Sequence, residues 1–347
     1  MNRVYLDHNA TTRLRPEARA AMLSAMDALG NPSSVHNEGR AAKAIVETAR
    51  RQVAEATGAL GAEIVFTSSA TEAAALALAD QDYICAGVEH DCVSVWAKVA
   101  LQADENGHVR VKNPENTALQ QANSETGVIH KLPEGVAFCD AVQAFGKIPY
   151  AFNWSRAQRA VISGHKFGAP KGVGALIVRQ GVEVAAQLKG GGQEMGRRAG
   201  TENVAGIAGI GAAAMAAARD VDAGLWDAVA RIRDWLEACL QDAADDLLIF
   251  GQTVDRLPNT SYFAIPGWRG ETQVMQMDLA GFAVSAGSAC SSGKLRTSKV
   301  LEAMGQDEIS ANSALRISLG LETTRADVER FATTWIEHYR RFKKRAA

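Results

Sequence analysis

A lysine flanked by two apolar runs has the clearest chemical potential in this sequence. Lys166 follows the apolar residues Val161 and Ile162 and precedes a second apolar run at 174–178. Short β-branched runs bounded by glycine and proline predict buried strands, which would place the lysine close to the interior. Burial favours the neutral amine, which is the form that condenses with a carbonyl group. Lys166 is therefore a candidate Schiff-base lysine, although a turn lysine with its tip in water is the more common case for these residues alone.

Polar residues stand at or near the ends of other predicted strands. His90 follows AGVE, Asn123 lies in QANSETGV, and Asp140 and Gln143 lie in FCDAVQ. In open α/β sheets, ligands bind outside the carboxyl ends of the strands, where these residues project. A single His or Asp at a strand end is more often a satisfied turn residue, and that alternative stays open at this point.

Two further segments suit anions. Ser69 and Glu72 fit a capping box at a helix start, where unpaired N–H groups and the helix dipole bind phosphate. Arg197 and Arg198 lie in a glycine-rich segment, 189–203, and suit an anion or a carboxylate. For the capping box alone, the more common case is a well-capped helix without a ligand. For the glycine-rich segment, the alternative is a flexible linker.

The cysteines and histidines argue against a disulfide framework and a metal site. The five cysteines are odd in number and include no C-x-x-C pair, and the seven histidines lack metal-ligand spacing. Four cysteines stand in apolar or helical surroundings. Cys290 stands in the Gly/Ser-rich stretch SAGSACSSGK, where an exposed thiol could be either incidental or reactive.

Length and composition indicate a globular protein with one large hydrophobic core and a smaller second domain. The 347 residues are 47% hydrophobic and carry a formal net charge of −2, so no broad basic surface for nucleic acid or anionic membranes is expected. The first residues lack the apolar core of a signal peptide. The Gly/Ala-rich stretch 205–218 has no charged residue but is too short to span a bilayer. We expect a cytoplasmic protein with a small-molecule substrate.

Hydrophobic patterning predicts an α/β fold. It places helices at about 15–29, 39–57, 204–219, 226–243 and 325–342, and strands at 64–66, 260–265, 282–286 and 315–318. Short apolar runs between 83 and 161 predict a largely parallel sheet. We expect a large domain at 15–221, with a mostly parallel sheet flanked by helices, and a smaller α+β domain formed by 1–14 and 222–347.

Ten motifs follow one another along the chain: YLDHNATT, GNPSSVH, FTSSATEAAALAL, EHDCV, NSETG, DAVQAFGK, SGHKFGAPKGVGAL, GGGQEMGRRAGTENVAGI, SAGSACSSGK and LRISLG. In this order they resemble pyridoxal-phosphate (PLP) enzymes of the class V aminotransferase group, specifically cysteine desulfurases of the NifS/IscS type. The resemblance covers nearly the whole chain and implies the fold type I of PLP-dependent transferases.

The resemblance implies a role for each polar residue around the cofactor ring. Lys166 would hold PLP as a Schiff base and later move protons. Asp140 would pair with the pyridine nitrogen so that the ring acts as an electron sink. Gln143 would donate a hydrogen bond to the phenolic oxygen, and His90 would lie against the ring as an acid-base group.

The same resemblance implies a phosphate cradle and a dimer. Ala70, Thr71, Ser163 and His165 would hold the phosphate, together with Thr201 of the partner subunit, so a homodimer is expected.

Substrate handling is also implied by the resemblance. Asn123, which is also expected beside the cofactor, and Arg316 would grip the substrate carboxylate. Cys290 would attack the substrate sulfur, converting L-cysteine to L-alanine and keeping the sulfur as a persulfide for an acceptor protein such as an iron-sulfur scaffold.

Departures from the family pattern leave alternatives. The connections at 79–89 and 127–138 are shorter than usual, and Ser124, Val142 and Met195 replace the common residues. The alternatives are another PLP enzyme, such as an aminotransferase, a selenocysteine lyase or another carbon-sulfur lyase, and a shortened paralogue without turnover. An aminotransferase has no need of a loop thiol, so Cys290 discriminates against it.

Overall fold

The structure is a computed structural model that describes residues 3–286 and 297–346. All five predicted helices are confirmed with small shifts of their ends, and several short helices accompany them. The described residues form α1 (Pro16–Met26), α2 (Asn37–Ala56), α3 (Ala70–Leu78), α4 (Asp91–Ser94), α5 (Phe152–Ser155), α6 (Val204–Asp222), α7 (Leu225–Ala243), α8 (Gly270–Leu279), α9 (Lys299–Ala303), α10 (Glu308–Asn312) and α11 (Arg325–Ala346).

The strands are short and alternate with these helices, as expected for an α/β protein. They are β1 (Val4–Tyr5), β2 (Glu63–Thr67), β3 (Ile84–Ala86), β4 (Lys98–Leu101), β5 (Ala118–Gln120), β6 (Phe138–Asp140), β7 (Arg159–Ser163), β8 (Gly174–Val178), β9 (Leu248–Ile249), β10 (Thr260–Ala264), β11 (Phe282–Ala283) and β12 (Ala314–Ser318).

The central sheet is mixed, with four of its five strands running in one direction, so the expectation of a mostly parallel sheet is confirmed for every strand except β8. Its strand order is β2-β8-β7-β6-β5, in which β5, β6 and β7 run parallel, while β8 is antiparallel to both β7 and β2. Only residues 164–173 join β7 to β8, and a connection that short reverses the chain, because parallel neighbours need a longer crossover. The reversal begins with a 3-10 turn, Gly164–Lys166, which carries the candidate lysine.

The connection from β5 to β6 confirms the unusual brevity predicted from the sequence. Residues 121–137, all of them described, contain no α-helix, although the two strands run parallel. Elsewhere α1, α2 and α6 cover one face of the sheet and α3 covers the other.

Helix α6 is largely buried between the sheet and its neighbouring helices. Among the described residues it is the one helix long and apolar enough to cross a bilayer, but most of it is buried. Ile207 and Ile210 of α6 lie in one core with Val46 and Val53 of α2. Packing inside the protein therefore accounts for its apolar composition.

A second set of elements forms its own core. Strands β12, β10 and β9 pair in that order, and Phe263, Phe331 and Trp335 are buried beside them with α7, α8 and α11. Strand β1 pairs with β11, and the chain after it forms an isolated bridge between Asp7 and Ser318. The N-terminal segment thus joins this second unit near the large sheet, while the proposed domain boundaries stay a prediction.

Candidate active site

A cavity of about 280 Å³ lies where β5, β6 and β7 end and α3 begins. The structure brings nine of the predicted site residues to its wall. The lining residues are Asn9, Ala10, Ser69, Ala70, Thr71, His90, Cys92, Gln120, Ala122, Ser124, Asp140, Val142, Gln143, Ser163, His165, Lys166 and Arg316. Of the other three predicted residues, Asn123 and Thr201 are not among this lining, and Cys290 lies outside the described residues.

Lys166 enters the cavity from the turn after β7. Its Nζ donates hydrogen bonds to the backbone oxygens of Asn9 at 2.7 Å and Ala10 at 3.0 Å. The side chain is half-buried rather than fully buried. The N-terminal segment therefore holds the amine inside the cavity, in reach of a ligand carbonyl.

Asp140 ends β6 and is buried. Its Oδ1 accepts the Val142 N–H at 2.9 Å. Burial raises the pKa of this carboxyl above its ordinary value, while the charges of His90 and Lys166 act in the opposite direction. A cationic ring N–H at this place would compensate the buried carboxylate.

The start of α3 is built as the sequence predicts. Ser69 Oγ accepts the Glu72 N–H at 3.2 Å, and the Glu72 carboxylate accepts the Ser68 N–H at 2.8 Å. Gly174 of β8 lies directly behind this turn, where an added Cβ would come within 2.6 Å of the Ser69 backbone. The absent side chain lets the turn pack against the sheet, so the first N–H groups of α3 face the cavity.

His165 contributes a polar atom that lacks a protein partner. Its Nδ1 is buried without a hydrogen bond, and burial lowers the pKa of the ring to about 4. A neutral imidazole can donate from one nitrogen, and a phosphate oxygen is a suitable acceptor. Ser163 lines the same wall.

The two arginines of the glycine-rich segment do not lie free for an anion, which corrects that expectation. Arg198 Nε donates to Glu72 Oε1 at 2.8 Å, and Arg197 forms an ion pair with Glu63. They attach the segment to the start of α3 and to β2. Thr201 is exposed in this segment, so its proposed contact depends on the partner subunit.

Arg316 lies on β12 and is only 1% exposed. Its Nη2 donates to Asp7 Oδ1 at 2.8 Å, and its Nη1 donates to the Ser124 backbone oxygen at 3.0 Å. A guanidinium held on two sides by the protein has a fixed orientation, which suits planar recognition of a carboxylate.

Asn123 supports this arrangement from outside the cavity wall. Its Oδ1 accepts the N–H groups of Glu125 and Thr126, both at 2.9 Å, and its Nδ2 donates to the Val88 oxygen at 3.0 Å. These bonds shape the turn that presents Ser124 to the cavity.

His90 caps the short helix α4. Its Nδ1 accepts the Cys92 N–H at 3.1 Å, which fixes the ring at the cavity wall. That bond assigns the acceptor role to Nδ1 and leaves Nε2 as the nitrogen that carries a proton in the neutral ring.

Sequence reasoning assigned no role to several residues that the structure places here. Glu125 is half-buried, and its Oε2 accepts hydrogen bonds from Ser298 Oγ at 2.5 Å and Tyr262 OH at 3.0 Å. Asp7 and Asn9 were visible within YLDHNATT, but their partners are distant in sequence and carry no local signal.

The comparisons with known proteins agree with this geometry. The family model described as aminotransferase class-V matches residues 4–331. The chain belongs to this family. It is 39% identical to a cysteine desulfurase of Cereibacter sphaeroides over 95% of this chain and 94% of that protein. The resemblance to cysteine desulfurases of the NifS/IscS type is therefore confirmed.

Solved structures of this family have the same fold. The X-ray structure of a NifS-like protein from Rickettsia africae has a TM-score of 0.88 and 32% identity, covering 97% of this chain and 99% of that one. A structure described as SspA in complex with cysteine has a TM-score of 0.74 and 26% identity, covering 92% of this chain and 100% of that one. Both confirm the predicted fold class.

The class V aminotransferase family is generally PLP-dependent, and the residues of this cavity fit that group. The pKa of the buried Asp140 carboxyl is raised despite the charges of His90 and Lys166, and a pyridinium would supply a further cation to stabilise the carboxylate. The unpartnered His165 Nδ1 and the start of α3 would serve a phosphate. The Lys166 amine would meet an aldehyde carbon.

Proposed function

We propose that this protein is a PLP-dependent cysteine desulfurase that converts L-cysteine to L-alanine and leaves the sulfur on Cys290 as a persulfide. The observation that carries the proposal is the meeting of Lys166, Asp140 and Arg316 in one cavity, in a chain similar to cysteine desulfurases over nearly its whole length.

Each residue has a defined task in this proposal. The cofactor, when bound, supplies an electron sink for the bonds at the substrate α-carbon. Asp140 keeps the ring nitrogen protonated, and the start of α3 with His165 holds the phosphate. Arg316 orients the substrate carboxylate through its planar guanidinium. The Lys166 amine and His90 take and return protons.

The sulfur step conserves atoms and electrons. The Cys290 thiolate attacks the substrate sulfur, so an S–S bond forms as the substrate C–S bond breaks. The carbon is reduced and gains a hydrogen, becoming the methyl group of alanine, while the two sulfurs are oxidised to the persulfide level. One thiol and one cysteine therefore yield one persulfide and one alanine.

We also propose a homodimer, a protein acceptor such as an iron-sulfur scaffold, and a cytoplasmic location. A persulfide must pass its outer sulfur to another thiol or to a reductant before the enzyme can act again. Exposed apolar residues at Leu29 and Val35, beside the GNPSSVH motif, and the exposed Thr201 support a subunit interface.

The test is turnover of L-cysteine by the cofactor-loaded protein in the presence of a thiol reductant. Sulfide and alanine are expected in equal amounts. Alanine without sulfide or persulfide, or no turnover by protein that has bound the cofactor, would overturn the proposal. Selenocysteine and keto acids are assayed in parallel. Turnover of selenocysteine in preference to cysteine would identify a selenocysteine lyase, and amino-group transfer to a keto acid would identify an aminotransferase.

Two variants assign the roles. Cys290→Ala should keep the cofactor absorbance and lose sulfide release, whereas Cys239→Ala, which removes a thiol from α7, should keep both. Lys166→Ala should lose the absorbance of the lysine-bound cofactor, whereas Lys171→Ala, at an exposed lysine of the same connection, should retain it. Sulfide release by Cys290→Ala would show that the nucleophile is wrong.

A further inference from the structure

A second lysine, Lys147, lies directly behind Gln143 and has no role in the proposed reaction so far. It is 3% exposed, which is rare for lysine. Its Nζ donates to Gln143 Oε1 at 2.5 Å and to the Gln143 backbone oxygen at 3.3 Å. Both contacts go to the one residue expected to meet the phenolic oxygen of the cofactor.

The Gln143 amide has only one orientation that satisfies its neighbours. Its Nε2 donates to the Asn9 backbone oxygen at 2.9 Å, while its Oε1 accepts from Lys147. Turning the amide over would set its oxygen against the Asn9 backbone oxygen and would remove the hydrogen bond that Oε1 accepts from Lys147. The primary amide carries two hydrogens on nitrogen, so one remains for a ligand oxygen in the cavity that Gln143 lines.

The backbone places Lys147 in this position. Gly146, immediately before it, adopts φ +79°, a left-handed conformation that glycine tolerates without strain. A Cβ on Gly146 would lie only 3.0 Å from the Cβ atoms of Ala217 and Phe167. The turn directs the lysine back toward the residue four positions earlier.

Lys147 can donate these hydrogen bonds whether or not its amine is charged, because both forms carry N–H groups. Burial lowers the pKa of Lys147 well below its ordinary value, and the charges of Lys166 and Arg316 lower it further. An uncharged amine still donates hydrogen bonds, and it adds no positive charge beside Lys166. A hydroxyl or carboxylate in its place would lack the reach or introduce a second buried charge.

We infer that Lys147 is a positioning residue that fixes the Gln143 amide with its N–H edge toward the phenolic oxygen of the cofactor. The inference rests on the proposed PLP chemistry and deepens it. The absorbance of the bound cofactor reports on this hydrogen bond, because a donor to the phenolic oxygen stabilises its deprotonated form and lowers the pH at which the cofactor absorbance titrates.

The experiment is a spectrophotometric pH titration of the cofactor-loaded protein and its variants. Gln143→Ala should raise the titration midpoint by roughly 0.5–1 pH unit, the equivalent of one hydrogen bond. Lys147→Met, which keeps the length but removes the donor, should raise it in the same direction by no more than that. His90, Asp140 and His165 face the same cavity and stay unchanged in every variant.

The double variant separates positioning from a direct effect. In the Gln143→Ala background, Lys147→Met should cause no further shift, and Lys131→Met, the same change at an exposed lysine, should leave the midpoint unchanged in either background. Lys147→Leu repeats the measurement if the methionine variant does not fold.

The outcomes are distinguishable. The role of Lys147 is overturned if Gln143→Ala raises the titration midpoint and Lys147→Met does not. It is also overturned if Lys147→Met still shifts the midpoint in the Gln143→Ala background. No shift in Gln143→Ala overturns it together with the assignment of Gln143. Turnover of L-cysteine is assayed separately, so a protein that titrates as expected but makes no alanine and sulfide contradicts only the proposed function.

Discussion

The substitution Asp140→Asn should have opposite effects on the protein without and with its cofactor. Without the cofactor, the carboxylate is buried and its pKa is raised by that burial despite the charges of His90 and Lys166. Asparagine has the same shape and still accepts the Val142 N–H, which the aspartate accepts at 2.9 Å. Removing a buried charge that is only partly compensated should therefore increase the free energy of unfolding, by on the order of 1–3 kcal/mol.

The sign of the pH dependence follows from the raised pKa. At any pH above the raised folded pKa of Asp140, both the folded and the unfolded carboxyl are ionised, so the folded protein bears the full cost of the buried charge. As the pH falls through the folded pKa, the native protein takes up the proton first and this cost disappears. The difference in unfolding free energy between Asp140→Asn and the wild-type protein should thus be largest above the folded pKa of Asp140 and should disappear as the pH falls below it.

Cofactor affinity should change the other way. The ionised Asp140 would form a buried pair with the protonated ring nitrogen, and breaking such a pair costs about 3–5 kcal/mol. At 1.4 kcal/mol for each factor of ten, Asp140→Asn should bind the cofactor roughly one hundred-fold to several thousand-fold more weakly.

Urea unfolding of the cofactor-free proteins and titration with PLP measure the two effects. Asp82→Asn, at an exposed aspartate, is the matched control and should change neither quantity. A cofactor-free Asp140→Asn protein that is no more stable than the wild type would refute the burial argument. Unchanged affinity would refute the pairing with the ring nitrogen.

Three further predictions concern residues outside the cavity wall. Glu194→Gln should destabilise the protein by about 3–5 kcal/mol in urea unfolding, because the carboxylate is buried against Arg50 at 2.7 Å; a change below 1 kcal/mol would contradict this. Arg156→Gly should stabilise it by about 0.5–1 kcal/mol, because Arg156 adopts φ +51° at an exposed helix end. Destabilisation would show that the exposed ion pair of Arg156 with Glu134 contributes more than the backbone strain. Burial lowers the pKa of His130 to about 4, so stability should fall by about 3 kcal/mol as the pH drops from 6.5 to 4, and His130→Gln should remove this dependence in unfolding curves measured across that range.

The sequence was sufficient where chemistry follows a local pattern. Asp140 lies at the end of one apolar strand, and Lys166 and Ser69 lie shortly after two others. These residues of the cavity were therefore recognisable from strand ends and a helix start. The central elements of the fold were recognisable for the same reason, since helical and strand periodicities are local properties.

The reversed direction of β8 and the partners of the arginines were not recognisable in this way. A turn such as 164–173 has the composition of a loop, whether the next strand pairs beside the first or elsewhere in the sheet. Arg197 and Arg198 have the same charge whether they meet a ligand or Glu63 and Glu72. Both questions depend on contacts between segments that are distant in sequence.

The N-terminal segment shows why such contacts escape a reading of the sequence. The Asn9 backbone oxygen accepts from both Lys166 Nζ and Gln143 Nε2, across separations of 157 and 134 residues. Any residue supplies a backbone oxygen, so its sequence carries no sign of the role. The same segment holds Arg316 through Asp7, across 309 residues. Lys166, Gln143 and Arg316 therefore all donate hydrogen bonds to the same N-terminal segment. A change that displaces this segment should disturb cofactor attachment and carboxylate binding together.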